Sequence, residues 1–332
     1  MAALAAEIGK IMSFSSEVKN ELARLTIEKK CCMLAEIAGF LRVSASIKLA
    51  GGGRFSIVAS TENAAIARHY KTLIKEYFGS IAELGVGDSQ VPGKAGSHNR
   101  YYLIISPDEK SSQILRETGM MLVREGNDYF SDGIYQPIVK SKCDKKAYIR
   151  GIFLGCGTIT DPRKSYHLEF VIDSERTASD LRKLIGSFVD LSANVSKRKG
   201  DSIVYMKRAA YISDMLGIMG ADDAMLEFEN IKIGKELHGE AQRRTNCDNA
   251  NVDRVLSASE EQLRWIRLLE EAGALDKMEV PLRELAILRR DNPAASLTDL
   301  GEMLTPPIKK PGVNKRFARI RQLAEQLEGE QP

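Results

Sequence analysis

The feature that most constrains this 332-residue chain is an internal repeat across its first two-thirds. A glycine-bearing apolar helix, two strands, a second helix and two more strands are predicted in each unit, followed by a further helix. Gly39 and Gly151 lie 112 residues apart, and Ser60 and Ser174, each expected to begin a helix, lie 114 apart. Because the register persists along both units, we predict a duplicated αββαββα domain in an α+β fold.

Composition excludes several classes of protein. A hydrophobic content of 43% supports two or three packed domains. The five cysteines (Cys31, Cys32, Cys143, Cys156 and Cys247) are odd in number and contain no C-x-x-C pair, so we expect neither a disulfide framework nor a zinc site. The adjacent Cys31 and Cys32 are interpreted as small hydrophobes of an apolar helix. We expect no metal and no cofactor.

No segment is predicted to target the chain to a membrane. No run reaches the roughly 18 to 20 apolar residues that a membrane span requires. Residues 1–11 lack the basic start, apolar centre and cleavage pattern of a signal peptide, and we interpret them as a candidate N-terminal extension before a second start at Met12. The sequence therefore favours a cytoplasmic protein without membrane contact.

The charge is unevenly distributed along the chain. The net charge is +3, from 48 Lys and Arg against 45 Asp and Glu, but residues 281–327 alone hold nine bases and five acids. The rest of the chain is then 39 bases against 40 acids. Between Lys309 and Arg321 six bases occur without an acid, a pattern typical of an element that faces phosphates.

The two glycine-bearing helices resemble the motif helices of single-chain LAGLIDADG homing endonucleases, which pack at a pseudo-two-fold axis and end in metal-binding carboxylates. On this sequence the carboxylate positions fall at Ser44 and Cys156. No Asp or Glu occurs in residues 37–61 or 145–160, and Asp161 lies in an Asp-Pro turn. We therefore predict no catalysis, and a divergent metal-dependent DNA endonuclease is the alternative.

The C-terminal region is predicted to be helical with marked helix ends. Ser259 and Gln262 form a candidate capping box, and Ser296 with Asp299 begins a short helix before a Pro-rich turn. On the last helix an apolar stripe is predicted at Val313, Phe317, Ile320, Ala324 and Leu327.

The face of the last helix opposite this stripe carries small, polar and basic groups, which a recognition helix in the major groove requires. The predicted DNA-contacting residues are Lys309 and Lys310 in the turn, and Asn314, Lys315, Arg316, Arg319 and Gln322 on the helix. The sequence therefore predicts a helix-turn-helix. A plain helical bundle with a basic solvent face is the alternative.

Several stretches carry a resemblance to a known family: residues 13–22, 148–157, 244–251, 296–304 and 306–310 with Val313 and Asn314. From Met12 to about Leu327 the chain resembles the WhiA family of sporulation and cell-division regulators. The resemblance implies a DNA-binding protein acting in cell division and chromosome segregation, and as a transcription regulator in sporulating relatives. Pro311 departs from the family pattern, in which a Ser-Gly is more usual and its serine would cap the recognition helix.

The predicted domain order has four parts: an extension at 1–11, a degenerate LAGLIDADG-like domain at 12–221 with repeats at about 30–120 and 143–221, a helical connector at 222–252, and a helix-turn-helix domain at 253–328. Double-stranded DNA is the expected partner, in a nucleoid-associated location, with other transcription or division proteins as further candidates. Basic groups of the duplicated domain either line a DNA-facing saddle or form solvated surface. A protein-interaction adaptor is the third functional hypothesis.

Overall fold

The computed structural model of the chain describes residues 12–89 and 98–329. The chain divides into two compact units, Met1–Gly234 and Lys235–Pro332. The candidate extension at residues 1–11 lies outside the described residues. Among the helices of the described ranges, none combines the length and the apolar character needed to cross a membrane.

The first unit begins with helix α1 (Phe14–Leu22), which precedes the first repeat. This repeat consists of α2 (Lys30–Ser44), β1 (Ala45–Leu49), β2 (Phe55–Thr61), α3 (Ala64–Phe78), β3 (Glu83–Ser89), β4 (His98–Ile105) and α4 (Ser111–Glu117). Its four strands form an antiparallel sheet in the order β1-β2-β4-β3. A hairpin of β5 (Met121–Arg124) and β6 (Asn127–Phe130), which the sequence patterns did not indicate, follows the repeat.

The second repeat has the same element order and the same sheet topology. It consists of α5 (Lys142–Cys156), β7 (Gly157–Ile159), β8 (Leu168–Ile172), α6 (Glu175–Ile185), β9 (Asn194–Arg198), β10 (Asp201–Met206) and α7 (Ala209–Met219). Its strands lie in the order β7-β8-β10-β9, so each central pair joins the second and fourth strands of its repeat. The predicted αββαββα duplication is confirmed.

Helices α2 and α5 pack directly against each other at the centre of the first unit. A Cβ on Gly39 would collide with the carbonyl oxygen of Tyr148, and one on Gly151 would collide with the carbonyl oxygen of Glu36. Only glycine permits backbones to approach this closely, because any side chain would fill the space between the helices. The close helix packing predicted from the two glycines is confirmed.

The two predicted helix starts have different outcomes. Ser174 caps α6, its hydroxyl accepting a hydrogen bond from the Thr177 amide at 3.0 Å. Ser60 does not begin α3, because β2 continues through Thr61, which stays paired with Tyr101 of β4. Asn63 is the cap instead, and its side-chain oxygen accepts from the Ala65 amide at 2.8 Å.

The remaining helices are α8 (Asp222–Glu271), α9 (Val280–Asp291), α10 (Leu297–Met303) and α11 (Lys310–Gly329). The prediction that Ser259 and Gln262 begin a helix is wrong, because α8 is continuous through both residues. The Ser259 hydroxyl is instead buried and donates to the Pro293 carbonyl at 2.5 Å. Its polar group is satisfied by a partner 34 residues away, which no local pattern reveals.

Candidate nucleic-acid interface

Helix α10 begins at a reciprocal capping box. The Ser296 hydroxyl accepts a hydrogen bond from the Asp299 amide at 3.2 Å, and the Asp299 carboxylate accepts from the Ser296 amide at 2.9 Å. The hydrogen bond from the Ser296 backbone, with a smaller contribution from its side chain, lowers the pKa of Asp299. The predicted start of the short helix is confirmed.

Gly301 sets the close approach between α10 and the residues that lead into α11. The Ile308 amide donates to the Gly301 carbonyl at 2.9 Å, and a Cβ on Gly301 would collide with the Ile308 carbonyl oxygen. Beyond this point Lys309 precedes α11, and its carbonyl accepts from the Gly312 amide at 2.8 Å. Lys310 is the first residue of α11, so its predicted place in the turn is wrong by one residue. The tight turn places the start of α11 beside α10.

The inner face of α11 anchors it in the core of the second unit. Val313, Phe317, Ile320 and Ala324 are buried among residues of α8, α9 and α10, and Leu327 packs against the same cluster. The apolar stripe predicted from the sequence is therefore confirmed. It determines which side chains of α11 point outward, because residues on the opposite side of a helix are about half a turn away.

Most of the predicted DNA-contacting residues lie on the exposed face of α11. The exposed ones are Lys309, Lys310, Asn314, Lys315, Arg319 and Gln322. Arg316 is half-buried and donates to the Pro281 carbonyl at 3.3 Å, so it also ties α11 to the start of α9. The structure brings these side chains together on one surface, and their roles remain predictions.

The cations of this surface differ in whether they have partners. Within residues 12–89 and 98–329, the side chains of Lys309, Lys310 and Lys315 make no hydrogen bond or ion pair. Arg319 donates to the Gln322 side-chain oxygen at 3.1 Å, which aligns a guanidinium with an amide. Arg321, in contrast, pairs with Glu325 at 2.7 Å. A run of unpartnered lysines beside an Arg–Gln pair can attract a polyanion and offer donors to base edges.

Two of the bases counted from the sequence have structural roles instead. Arg289 of α9 is only 1% exposed and donates to the Ala295 carbonyl at 2.6 Å, joining the end of α9 to the start of α10. Burial lowers the pKa of Arg289, whose guanidinium lies 5.7 Å from the centre of the Phe317 ring. Arg290 pairs with Glu270 at 2.8 Å. Counting charges could not distinguish these residues from those on the outward face.

In the first unit, several basic side chains already have acidic partners. Arg163 pairs with Glu227 at 2.7 Å, and Lys197 pairs with Glu175 at 2.8 Å. Arg198 lies 3.5 Å from Glu169. These pairs reduce the positive potential that a DNA-facing saddle would need, and they favour the interpretation as solvated surface.

The ends of α2 and α5 border an open cleft of about 1630 Å³ within the first unit, lined also by Lys19, Glu62 and Asp161. Ser44 donates its hydroxyl back to the Phe40 carbonyl at 2.7 Å, and burial raises the pKa of the Cys156 thiol to about 12. Neither side chain supplies the carboxylate that a nuclease metal would need at these helix ends.

One cluster of ligand-type side chains in the first unit was not predicted from the sequence. Cys31, Cys32, Cys143 and Asp144 place one ligand atom each within 4.8 Å of one another. The residues come from two helices, so no short motif joins them. A signal was nevertheless present, because Cys143 and Asp144 follow Cys31 and Cys32 by 112 residues, the interval that separates Gly39 from Gly151.

Comparison with known proteins gives matches along nearly the whole chain. The WhiA N-terminal LAGLIDADG-like domain matches residues 30–121, the WhiA LAGLIDADG-like domain matches 145–238, and the WhiA C-terminal HTH domain matches 241–324. Together these profiles cover both repeats and the C-terminal helices.

Individual relatives match at full length. The "Probable cell division protein WhiA" of Alkaliphilus metalliredigens is 39% identical over 96% of this chain and 99% of its own length. The protein of the same name from Thermoanaerobacter pseudethanolicus is 41% identical over 95% of this chain and 98% of its own length. The crystal structure of full-length DUF199/WhiA from Thermatoga maritima covers 95% of this chain and 99% of its own, with a TM-score of 0.58 and 22% identity, and shares the fold.

Proposed function

The chain belongs to the WhiA family, and on that premise we propose that it is a non-catalytic protein that binds double-stranded DNA through α11. The observation that carries the proposal is the exposed surface at the start of α11, where Lys309 just before the helix and Lys310 and Lys315 on it have no partner within the described ranges. Cations left free by the fold are available to neutralise phosphates. The HTH domain match over residues 241–324 supports the same conclusion.

The proposed contacts divide into two kinds. Lys315 and Arg319 project from the exposed face of α11, where a recognition helix reads base edges, with Asn314 and Gln322 beside them. Lys309 and Lys310 lie at the N-terminal end of α11, where cations and backbone amides hold phosphates. Arg316 is assigned to the flank because it is half-buried against α9.

The names of relatives support a cellular role for this chain. Two that match it over nearly its full length are named probable cell division proteins. We propose that this chain acts on the chromosome in cell division and segregation, as a nucleoid-associated cytoplasmic protein that also regulates transcription, including sporulation genes where the organism sporulates. Other division or transcription proteins are its proposed further partners.

The proposal that the chain does not cut DNA is supported by Ser44 and Cys156, which occupy the ends of α2 and α5. The competing function is a divergent endonuclease using Asp161. Incubation of supercoiled plasmid with the full chain and Mg²⁺ or Mn²⁺ separates the two. We expect no nicking above background, whereas nicking that disappears in an Asp161→Asn variant would establish the competing function.

The DNA-binding proposal is tested by selecting duplexes from a random library with the full chain and measuring affinity for the selected site by fluorescence anisotropy. Arg319→Ala is expected to weaken specific binding by about 1 to 3 kcal/mol and to relax discrimination at one base pair, as removal of a bidentate guanine contact would. Arg321→Ala is the matched control, since Arg321 is engaged by Glu325 on the same helix. It should retain most of the affinity.

Circular dichroism must show each variant folded before its affinity is interpreted. The helix-turn-helix assignment fails if Lys309, Lys310, Lys315 and Arg319 can all be replaced without loss of affinity. An adaptor would instead show no reproducible site in the selection and no enrichment at specific loci in genome-wide mapping.

We also propose the four-part organisation, with an N-terminal extension at 1–11, the duplicated domain at 12–221, a helical connector at 222–252 and the DNA-binding domain at 253–328. Support comes from the division of the chain into units at Gly234 and from the exposed side chains of α8 on both sides of residue 240. Limited proteolysis should cut first within the connector. First cleavage near residue 130 would indicate instead that the two repeats are separate domains.

A further inference from the structure

The N-terminal ends of α2 and α5 bring four ligand-type side chains into one cluster. Cys31 and Cys32 lie in the first turn of α2, and Cys143 and Asp144 lie in the first turn of α5. Three sulfur atoms and one carboxylate oxygen all fall within 4.8 Å of one another. Within residues 12–89 and 98–329 this is the one group of three or more such ligands that gathers so closely.

The duplication explains how the cluster is assembled. Cys31 and Cys143 occupy equivalent positions of the two repeats, and so do Cys32 and Asp144. Because α2 and α5 pack through Gly39 and Gly151, equivalent positions at their N-terminal ends are brought side by side. Each repeat therefore contributes an adjacent pair of ligands, and four ligands together match the coordination number of zinc in structural sites.

The carboxylate is oriented by the local structure of α5. One oxygen of Asp144 accepts a hydrogen bond from the Ser141 amide at 3.2 Å as part of a capping box. The other oxygen lies 3.7 Å from the Cys143 sulfur, so it faces the thiols. Ser141 also places its hydroxyl 3.0 Å from that sulfur. Outer contacts of this kind orient metal ligands in known sites.

The surroundings carry positive charge and admit an ion. Both helices begin at the cluster, and lysines flank it at positions 29, 30, 140 and 142, so positive charge is at hand to balance a metal held by anionic ligands. Cys32 and Asp144 are buried while Cys31 is exposed, so one side is open to solvent. In a tetrahedral zinc site with Zn–S bonds of about 2.3 Å, the sulfur atoms lie about 3.8 Å from one another. The ligand atoms of this cluster lie within 4.8 Å of one another, so each pair would have to approach by roughly 1 Å at most to bind zinc.

We propose that Cys31, Cys32, Cys143 and Asp144 form a site for zinc(II) that fastens the N-terminal ends of the two motif-like helices together. Each thiol releases its proton to solvent as its sulfur coordinates the metal, so binding is coupled to pH and to folding. A disulfide would use two of the thiols and leave the third thiol and Asp144 without a role. The set of three thiols with one carboxylate therefore favours the metal.

The test uses the full chain, reduced and freed of metal, titrated with Co²⁺ as a spectroscopic probe and then with Zn²⁺. We expect one equivalent of Co²⁺ to produce thiolate-to-cobalt charge-transfer absorption and tetrahedral d–d bands, and Zn²⁺ to displace them and raise the melting temperature. A Cys31→Ser/Cys143→Ser variant should lose the charge-transfer bands. It should bind Zn²⁺ at least about 100-fold more weakly, because removal of outer contacts alone costs about 10- to 100-fold.

Cys247→Ser is the matched control, since Cys247 lies on α8 and is not one of the clustered side chains, and it should bind like the unaltered chain. Circular dichroism confirms that each variant is folded. The proposal is overturned if the reduced chain gives no tetrahedral cobalt spectrum, or if the double variant binds with unchanged affinity. It is equally overturned if mass spectrometry of the protein purified without reductant finds a disulfide among these cysteines and no bound zinc.

Discussion

Two helical surfaces of this protein use charged residues in opposite ways. At the α2–α5 interface, Glu36 is fully buried and both of its oxygens are occupied. His69 Nε2 donates to one at 2.8 Å, and Arg150 Nε donates to the other at 2.6 Å. At the exposed start of α11, Lys309 just before the helix and Lys310 and Lys315 on it have no partner among the described residues.

The difference follows from desolvation. A buried charge that lacks a partner is very unfavourable, so the Glu36 carboxylate at the α2–α5 interface is paired within the protein. An exposed ammonium keeps its hydration, so leaving it unpaired has almost no effect on stability. Exposed charges without a partner in the protein therefore indicate a binding surface better than the number of charges in a segment does.

The largest effect is expected when the buried network is broken from one side. Arg150→Met leaves the Glu36 carboxylate without its guanidinium partner and should lower the free energy of unfolding by about 3 to 5 kcal/mol. Urea denaturation monitored by circular dichroism measures this change. Arg54→Met is the control, because Arg54 pairs with Asp108 on the surface, and it should cost about 1 kcal/mol or less. If both variants lost similar amounts of unfolding free energy, the buried network would contribute no more than the surface pair, and the contrast between buried and exposed charge would be refuted.

The next effect concerns the glycine contact of the same interface. Gly39→Ala introduces a methyl group against the Tyr148 carbonyl oxygen and should lower stability by about 3 kcal/mol, since neither helix can move freely. Gly234→Ala is the matched control within α8, where a Cβ meets no atom within 4 Å. It should leave stability unchanged or raise it by up to about 1 kcal/mol. Thermal unfolding compares the two, and a harmless Gly39→Ala would mean that the helices are less closely packed.

The third effect concerns the proposed phosphate contacts of Lys309 and Lys310. Replacing Lys309 and Lys310 with alanine should weaken specific and non-specific DNA binding alike. The slope of log K against log salt should become shallower by about 0.9 for each phosphate that the protein no longer neutralises. Lys197→Ala/Lys199→Ala in the first unit is the control pair, with Lys197 already engaged by Glu175. Anisotropy titrations at several salt concentrations give the slopes. An equal change in both double variants would implicate the duplicated domain in DNA binding.

The smallest effect concerns pH. The Ser296 hydrogen bonds lower the pKa of Asp299 in the folded chain, so this carboxylate stabilises α10 above its unfolded pKa of about 3.9. That stabilisation is lost as pH falls through the lower folded value. Asp299→Asn should therefore flatten the acid limb of the stability curve, measured by thermal melts down to about pH 2. Glu302→Gln, whose carboxylate makes no hydrogen bond or ion pair within the described ranges, should leave that limb unaltered.

Sequence patterns were enough to predict the element order of the two repeats and the buried face of α11. Ser296 and Asp299 lie three residues apart and satisfy each other, so the start of α10 was predictable from a local pattern. The stripe from Val313 to Ala324 was equally local, because helical periodicity alone determines which face is buried. Gly39 and Gly151 were informative since their spacing repeats that of the surrounding elements.

Which polar side chains are paired or buried within the protein could be read only from the packing of distant segments. Ser259 has the local pattern of a helix cap, yet its hydroxyl donates a hydrogen bond to a carbonyl 34 residues away and α8 continues through it. In the sequence Arg289 is one more basic residue, and only the structure shows that it is buried. Cys31 lies close to Cys143 only because α2 packs on α5. The physical reason is common to all three. Periodicity and capping act within a few residues, whereas desolvation and ligand geometry depend on neighbours that distant segments supply.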